Sequence, residues 1–263
     1  MMFLMNGSNP KESRMEKQKN RNQKESENMN KKPIIGIIGK SQGTTEYDLW
    51  HRNDVVDEIR YLVVKNGGIA ISLLPTEKTL EFNDNDIKDE KELSAEELVD
   101  LYKQLELCDG FILQGGLYSC NYEIEMAKKI LELNKPLIGI CAGFNNILRA
   151  LGTDVILDET RSHDYYDNNY RHSIDIKRDT LLYNLIGKDK LEVNSIHSMV
   201  APKEVVEPFA TISSFSEDGL VESFELHNKN FVMGIKWHPE LLLEEEYVDK
   251  LFEEFIHIAK ASY

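Results

Sequence analysis

The sequence is poor in cysteine, proline and tryptophan, and it has no excess of positive charge. Its 263 residues include 3 Cys, 7 Pro and 2 Trp, and 31 Lys and Arg face 46 Asp and Glu, a formal net charge of −15. Three cysteines, Cys108, Cys120 and Cys141, cannot all pair, and their spacing fits no zinc-ligand pattern. A disulfide-built scaffold is therefore excluded, and free thiols in a reducing cytoplasm are expected. Without a basic face the chain is not expected to bind nucleic acid or an anionic membrane surface. No apolar run approaches the roughly 18 residues that a transmembrane helix needs. Met1 to Met5 is too short for a signal-peptide core, and no small-residue cleavage site follows it.

What is present divides into two parts. From Asn6 to Lys32 the chain is nearly all Asn, Lys, Glu, Ser, Gln and Arg, with no aromatic and no β-branched residue. Such a stretch cannot bury a core, so residues 1–32 are expected to form a disordered polar leader. Residues 33–263 then alternate strand and helix patterns. Buried strands are expected at Ile34–Gly39, Ile69–Leu74, Phe111–Gln114 and Leu137–Ile140, each a short apolar run. Helices are expected at Asp54–Asn66, from the Ser94 cap to Leu107, and from about Tyr122 to Leu133. Glu97, three residues after Ser94, completes a capping box. The stretch 83–92 reads as a solvated loop. Beyond residue 170 shorter strands follow at Ser173–Ile176, Leu191–Asn194, Ala210–Ser214, Leu220–Leu226 and Phe231–Ile235. An amphipathic helix over Leu241–Ala261 closes the chain. This alternation predicts a single α/β domain with a mainly parallel central sheet flanked by helices.

Chemistry concentrates in three segments. Lys135–Gly152 (KPLIGICAGFNNILRALG) reads strand, Cys141, helix, with Gly139 and Gly143 at minus two and plus two. That is the pattern of a nucleophile elbow, in which a sharp turn leaves no room for a Cβ on either side. The turn would lift the thiol above the carboxyl edge of the sheet and place it at a helix N-terminus, whose dipole favours the thiolate. Phe231–Glu240 (FVMGIKWHPE) ends a strand in His238-Pro239-Glu240. A thiol nucleophile needs a base, and the base needs an acceptor that fixes its tautomer; His238 and Glu240 supply both. Asp109–Gly116 (DGFILQGG) puts Gly115 and Gly116 just after a strand at the same edge. Their backbone N–H groups, with that of Ala142, are candidates to bind a developing oxyanion.

Taken in order, LQGG, GICAG and WHPE resemble the class I glutamine amidotransferases, a flavodoxin-like fold with a cysteine elbow. The stretches PIIGIIG, RHSIDIKRDTLLYNLIG, LEVNSIH and DGLVESFE resemble the gamma-glutamyl-gamma-aminobutyrate hydrolase branch. The resemblance covers about residues 33–257. It implies Cys141 as nucleophile, His238 as base, Glu240 as its orienter, and Gly116 with Ala142 as oxyanion donors. It places Gly115, Asn145, Asn194, Ser195 and His197 against the substrate. It further implies cleavage of a gamma-glutamyl amide through a thioester, with no metal and no cofactor. The expected partner is a small-molecule gamma-glutamyl substrate, with a homodimer compatible with the pattern.

Departures from the family pattern lie around the triad. Ala142 stands where the elbow usually has Arg, and Asn145 where it has Gln. Ser198 and Met199 replace a His and a Gln, and the loop after Gly116 is shortened. A less polar wall predicts a less polar amine half than gamma-aminobutyrate. The run His163–Tyr170 is expected as an exposed loop, with lining of the substrate mouth as the alternative, His172 as structural, and Cys120 as a candidate redox partner of Cys141. Two other activities fit the same motifs: a glutaminase subunit feeding ammonia to a synthase, and a weakly catalytic protein that binds gamma-glutamyl compounds.

Overall fold

The structure, a computed structural model, describes residues 31–42, 52–78, 92–116, 119–164 and 169–261. All of the expected leader except Lys31 and Lys32 lies outside the described residues, as does the expected 83–92 loop except Glu92. Residues 33–263 form one compact unit.

Thirteen strands follow one another along the described chain. β1 (Ile34–Ile38), β4 (Ile69–Leu73), β5 (Gly110–Leu113), β6 (Leu137–Ile140) and β13 (Val232–Ile235) belong to a nine-stranded sheet, as do β8 (His172–Ile176), β9 (Lys190–Val193), β11 (Ala210–Ser216) and β12 (Val221–Leu226). Its order is β4-β1-β5-β6-β13-β12-β11-β8-β9. The first five run parallel, with Gly234 opposite Gly139 and Leu113 also opposite Gly139. From β13 outward every pairing is antiparallel. Two small ribbons pair β2 (Lys40–Gln42) with β3 (Arg52–Asp54), and β7 (Ile156–Leu157) with β10 (Met199–Val200).

Alternation along the strands builds one apolar layer on each face. Ile35, Ile37, Ile112, Ile138 and Ile140 point to one side and pack with α1 (Asp57–Lys65), α5 (Leu181–Ile186) and α7 (Glu246–Ala261). Ile38, Phe111, Leu113 and Leu137 point to the other, beneath α2 (Ala95–Glu106), α3 (Asn121–Glu132), α4 (Ala142–Ala150) and α6 (Lys203–Val206). Strands covered on both faces read as unbroken apolar runs, which is why they were legible. The α2 capping box is formed, with Ser94 Oγ accepting from the Glu97 N–H and the Ser94 N–H donating to Glu97 Oε2 at 2.8 Å.

One burial and two boundaries differ from expectation. β4 is an edge strand and not fully buried, with Ile69 exposed, because it pairs only with β1. α1 starts at Asp57, not Asp54, since Arg52–Asp54 pairs with β2. The closing helix starts at Glu246, because Pro239–Leu241 forms a separate 3-10 turn that carries Glu240.

Candidate active site

Cys141 sits between β6 and α4 with φ 51° and ψ −102°. A positive φ at a residue bearing a Cβ is strained and persists only where the surroundings impose it. Here the close approach is visible atom by atom. A Cβ on Gly139 would lie 2.6 Å from the Gly143 carbonyl oxygen, and one on Gly143 would collide with the carbonyl oxygen of Leu113 in β5. Both glycines are therefore steric requirements of the turn. The Cys141 N–H donates to the Ile235 carbonyl at 2.8 Å, which fixes the elbow to β13. Ala142 is the first residue of α4, so its N–H has no acceptor within the helix.

β13 delivers the base. Beyond Ile235 the chain runs through Lys236 and Trp237 to His238, whose Nδ1 lies 2.7 Å from Glu240 Oε1. With Nδ1 committed to the carboxylate, Nε2 is the nitrogen left for the thiol. Gly115 closes the face of the imidazole: a Cβ there would stand 2.6 Å from His238 Cε1 and 3.4 Å from Cys141 Cβ. Gly116 is exposed just beyond it and packs over the buried stem of Lys40, whose ammonium is bound to Glu123 at 2.6 Å.

The electrostatics follow from this packing. Burial pushes the Cys141 thiol up, but the charge and hydrogen bond of His238 and the charge of Lys236 outweigh it, leaving the thiol below its ordinary value. Burial pulls His238 down, yet Glu240 and Cys141 hold it well above the usual imidazole range. The two directions together favour a thiolate–imidazolium pair. Cys108, by contrast, is pushed up to about 12, chiefly by burial. None of the three cysteines is in a disulfide.

Each residue placed against the substrate by resemblance can now be located. Asn194 is fully buried and clamps the His238 backbone: its Oδ1 accepts from the His238 N–H at 2.8 Å and its Nδ2 donates to the His238 carbonyl at 2.9 Å. Asn145 is buried on α4 and accepts from Lys236 Nζ at 2.6 Å. Ser195 Oγ donates to the His163 carbonyl at 2.9 Å, and His197 Nδ1 lies 3.2 Å from the Met199 carbonyl. Between these two, the Ile196 carbonyl accepts from Cys141 Sγ at 3.8 Å, so this segment does border the thiol. Met199 packs against the apolar layer under α2, α3 and α4. The expected preference for a less polar amine rests on Ser198, Met199 and the loop after Gly116, of which residues 117–118 lie outside the described residues.

Two residues depart from the sequence expectation. His163, expected in an exposed loop, is buried, because Asp218 and Ser195, distant in sequence, bond to it. Residues 165–168 of that loop lie outside the described residues. Lys236 is a buried cation beside the thiol, a role that the sequence motifs do not mark. Its only sequence signal was a lysine inside the otherwise apolar run FVMGIKW. It sits over the Phe144 ring at 4.9 Å, and burial above all brings its amine down to about 8.

A thiol on a strained elbow at the carboxyl edge of a parallel sheet, facing a carboxylate-bound histidine, goes with a class I glutamine amidotransferase-like fold. Within it, residues 120–240, which include Cys141, His238 and Glu240, match the family Peptidase C26, and the chain is homologous to gamma-glutamyl-gamma-aminobutyrate hydrolases. Gamma-glutamyl-gamma-aminobutyrate hydrolase PuuD of Escherichia coli is 30% identical over 149 residues, 49% of this chain and 58% of PuuD. Protein NtpR of Enterococcus hirae is 32% identical over 156 residues, 55% of this chain and 64% of NtpR. The chain thus spans less than two thirds of the length of either relative. Among solved structures, the glutaminase domain of the Trypanosoma brucei CTPS with bound acivicin superposes at a TM-score of 0.59. It covers 86% of this chain and 93% of that one at 14% identity, a likeness of fold. Among the described residues no helix is long and apolar enough to cross a membrane.

Proposed function

We propose that this chain is a cysteine hydrolase that cleaves a gamma-glutamyl amide through a thioester, releasing glutamate and an amine. The observation that carries this reading is the strained Cys141, its thiol lowered by a histidine that is itself anchored to Glu240 at 2.7 Å.

The chemistry runs in two halves. Cys141 Sγ attacks the amide carbonyl, and charge develops on its oxygen, which the N–H groups of Gly116 and Ala142 receive. His238 gives its Nε2 proton to the departing amine. Water then attacks the thioester while His238 takes up a proton, and glutamate leaves from the regenerated thiolate. Glu240 keeps the Nδ1 proton in place throughout, so the imidazole presents the correct nitrogen at each step. Asn194 acts through His238 and is a positioning residue. Asn145, Ser195 and His197 line up behind the thiol and shape the pocket that holds the gamma-glutamyl half.

A glutaminase feeding ammonia to a synthase is the second reading. It is favoured by the fold shared with the glutaminase domain of the Trypanosoma brucei CTPS. The purified chain, offered glutamine and a panel of gamma-glutamyl amides, separates the two. Glutamate release from the amides without a partner supports the hydrolase, while turnover of glutamine alone supports the glutaminase.

A further inference from the structure

Behind the thiol lies a second group of buried ionisable side chains that the proposed reaction does not use. Glu222, on β12, has no solvent exposure. Neither of its carboxylate oxygens has a hydrogen-bond partner among the described residues, and neither does His172 Nε2. Three imidazoles surround this carboxylate. His163 Nδ1 lies 3.7 Å from Oε1, His197 Nε2 lies 3.6 Å from Oε1, and His172 Nε2 lies 4.0 Å from Oε2. The His163 ring stacks on His197 at 5.1 Å between centroids and meets His172 edge-on at 5.3 Å.

The hydrogens are already committed elsewhere. His163 Nε2 is 3.0 Å from Asp218 Oδ2, an acceptor, so its proton resides there and Nδ1 presents a lone pair. His197 Nδ1 is 3.2 Å from the Met199 carbonyl, again an acceptor, so Nε2 presents a lone pair. The nearby Lys236 ammonium donates to Asn145. Several acceptors thus converge on one buried point, and the Ser195 hydroxyl beside them, 3.3 Å from His163 Nδ1 and 3.5 Å from His197 Nε2, directs its hydrogen to the His163 carbonyl at 2.9 Å. A buried charge without a partner is costly, and a bound cation removes that cost.

We propose that His163, His172 and Glu222 form a zinc site, binding the ion through His163 Nδ1, His172 Nε2 and the Glu222 carboxylate. Their ligating atoms all lie within 4.8 Å of one another. Zinc holds imidazole and carboxylate ligands at about 2.0–2.2 Å, which calls for ligand atoms somewhat over 3 Å apart. Closing the three atoms onto the ion therefore needs shifts on the order of an ångström or less. Two imidazoles with one carboxylate suit zinc better than calcium or magnesium, which prefer oxygen ligands. Asp218 behind His163 is the carboxylate–histidine–zinc arrangement that fixes a ligand's tautomer. His197 Nε2 lies 3.6 Å from Glu222 Oε1 but outside this group of three. The ion would tie the loop at His163 to β8 and β12.

The test uses the full chain, loaded with zinc, passed through a desalting column and assayed for metal by mass spectrometry. About one zinc per chain is expected for the wild type and equally for Cys141→Ser, because the site does not use the thiol. His172→Ala and Glu222→Gln are each expected to lose most of the metal. Zinc is also expected to raise the melting temperature of the wild type by several degrees, reversed by a chelator. This second readout stands even if a variant fails to fold. Cobalt in place of zinc should give visible ligand-field bands without a thiolate charge-transfer band. No retained zinc and no shift in melting temperature in the wild type overturn the proposal. So does retained zinc that Cys141→Ser removes, or zinc that both ligand variants keep.

Discussion

Two buried carboxylates, Glu240 at the triad and Glu222 behind it, show how differently one functional group behaves in two neighbouring regions. Glu240 stands 2.7 Å from His238 Nδ1 with a shared hydrogen between them, and His238 is held well above its ordinary range. Glu222 has imidazoles at 3.6 to 4.0 Å and, among the described residues, no hydrogen bond. Its own carboxyl is raised to about 7, first by burial. His197, more deeply buried than His238, is driven well below the imidazole range by burial and then by the charges of Lys236, His163 and His238. A carboxylate thus makes a histidine a base only when the proton lies between them. The triad region meets that condition, and the cluster around Glu222 lacks it.

The largest expected effect comes from breaking the triad region. Cys141→Ser and His238→Ala should each lower kcat/KM for a gamma-glutamyl amide by roughly ten-thousand-fold or more, because nucleophile and base act as a unit. Glutamate release measured against circular dichroism of the variants checks this. Comparable activity in a folded His238→Ala would remove the histidine from the reaction.

A smaller loss is expected where the geometry is disturbed but the groups remain. Gly115→Ala places a methyl only 2.6 Å from His238 Cε1. The imidazole must move, and displacement by about 1 Å can cost on the order of a hundredfold in rate. The prediction is a fall in kcat of that size with little change in melting temperature.

Glu240→Gln sharpens the comparison through its pH profile. In the wild type the acid limb of kcat/KM reports ionisation of a thiol held below its ordinary value, and the alkaline limb reports loss of the His238 proton. Glu240 raises the histidine, so its removal should move the alkaline limb to lower pH. An unmoved limb would show that the carboxylate does not set the charge of His238.

The smallest effect concerns Glu222 and is read in stability. Its folded carboxyl is raised from 4.5 to about 7, so the protonated form favours folding. That stability is fully present below 4.5 and is lost as pH rises through about 7. In metal-free protein the melting temperature should fall over this window, and Glu222→Gln should flatten this part of the profile.

The sequence discloses these two regions unequally. Strands such as Ile34–Ile38 and Leu137–Ile140 are apolar on both faces, and Gly139 and Gly143 mark a turn that tolerates no Cβ. His238 and Glu240 lie two residues apart, so their pairing was legible as a local pattern. The cluster around Glu222 draws on a loop, β8, β12 and the residues after β9, and only the antiparallel half of the sheet brings them together. No local spacing connects His163, His172 and Glu222. Asn194 shows the same limit, because its clamp on the His238 backbone depends on β9 and β13 ends meeting across the fold.

The central claim is that Cys141 carries the acyl group. The most direct measurement is rapid acid quench of the enzyme turning over a gamma-glutamyl amide, followed by peptide mapping by mass spectrometry. The account predicts one gamma-glutamyl group on the peptide containing Cys141, none on Cys108 or Cys120, and no adduct in Cys141→Ala. Continued glutamate release by Cys141→Ala, with no acylated peptide in the wild type, would contradict it.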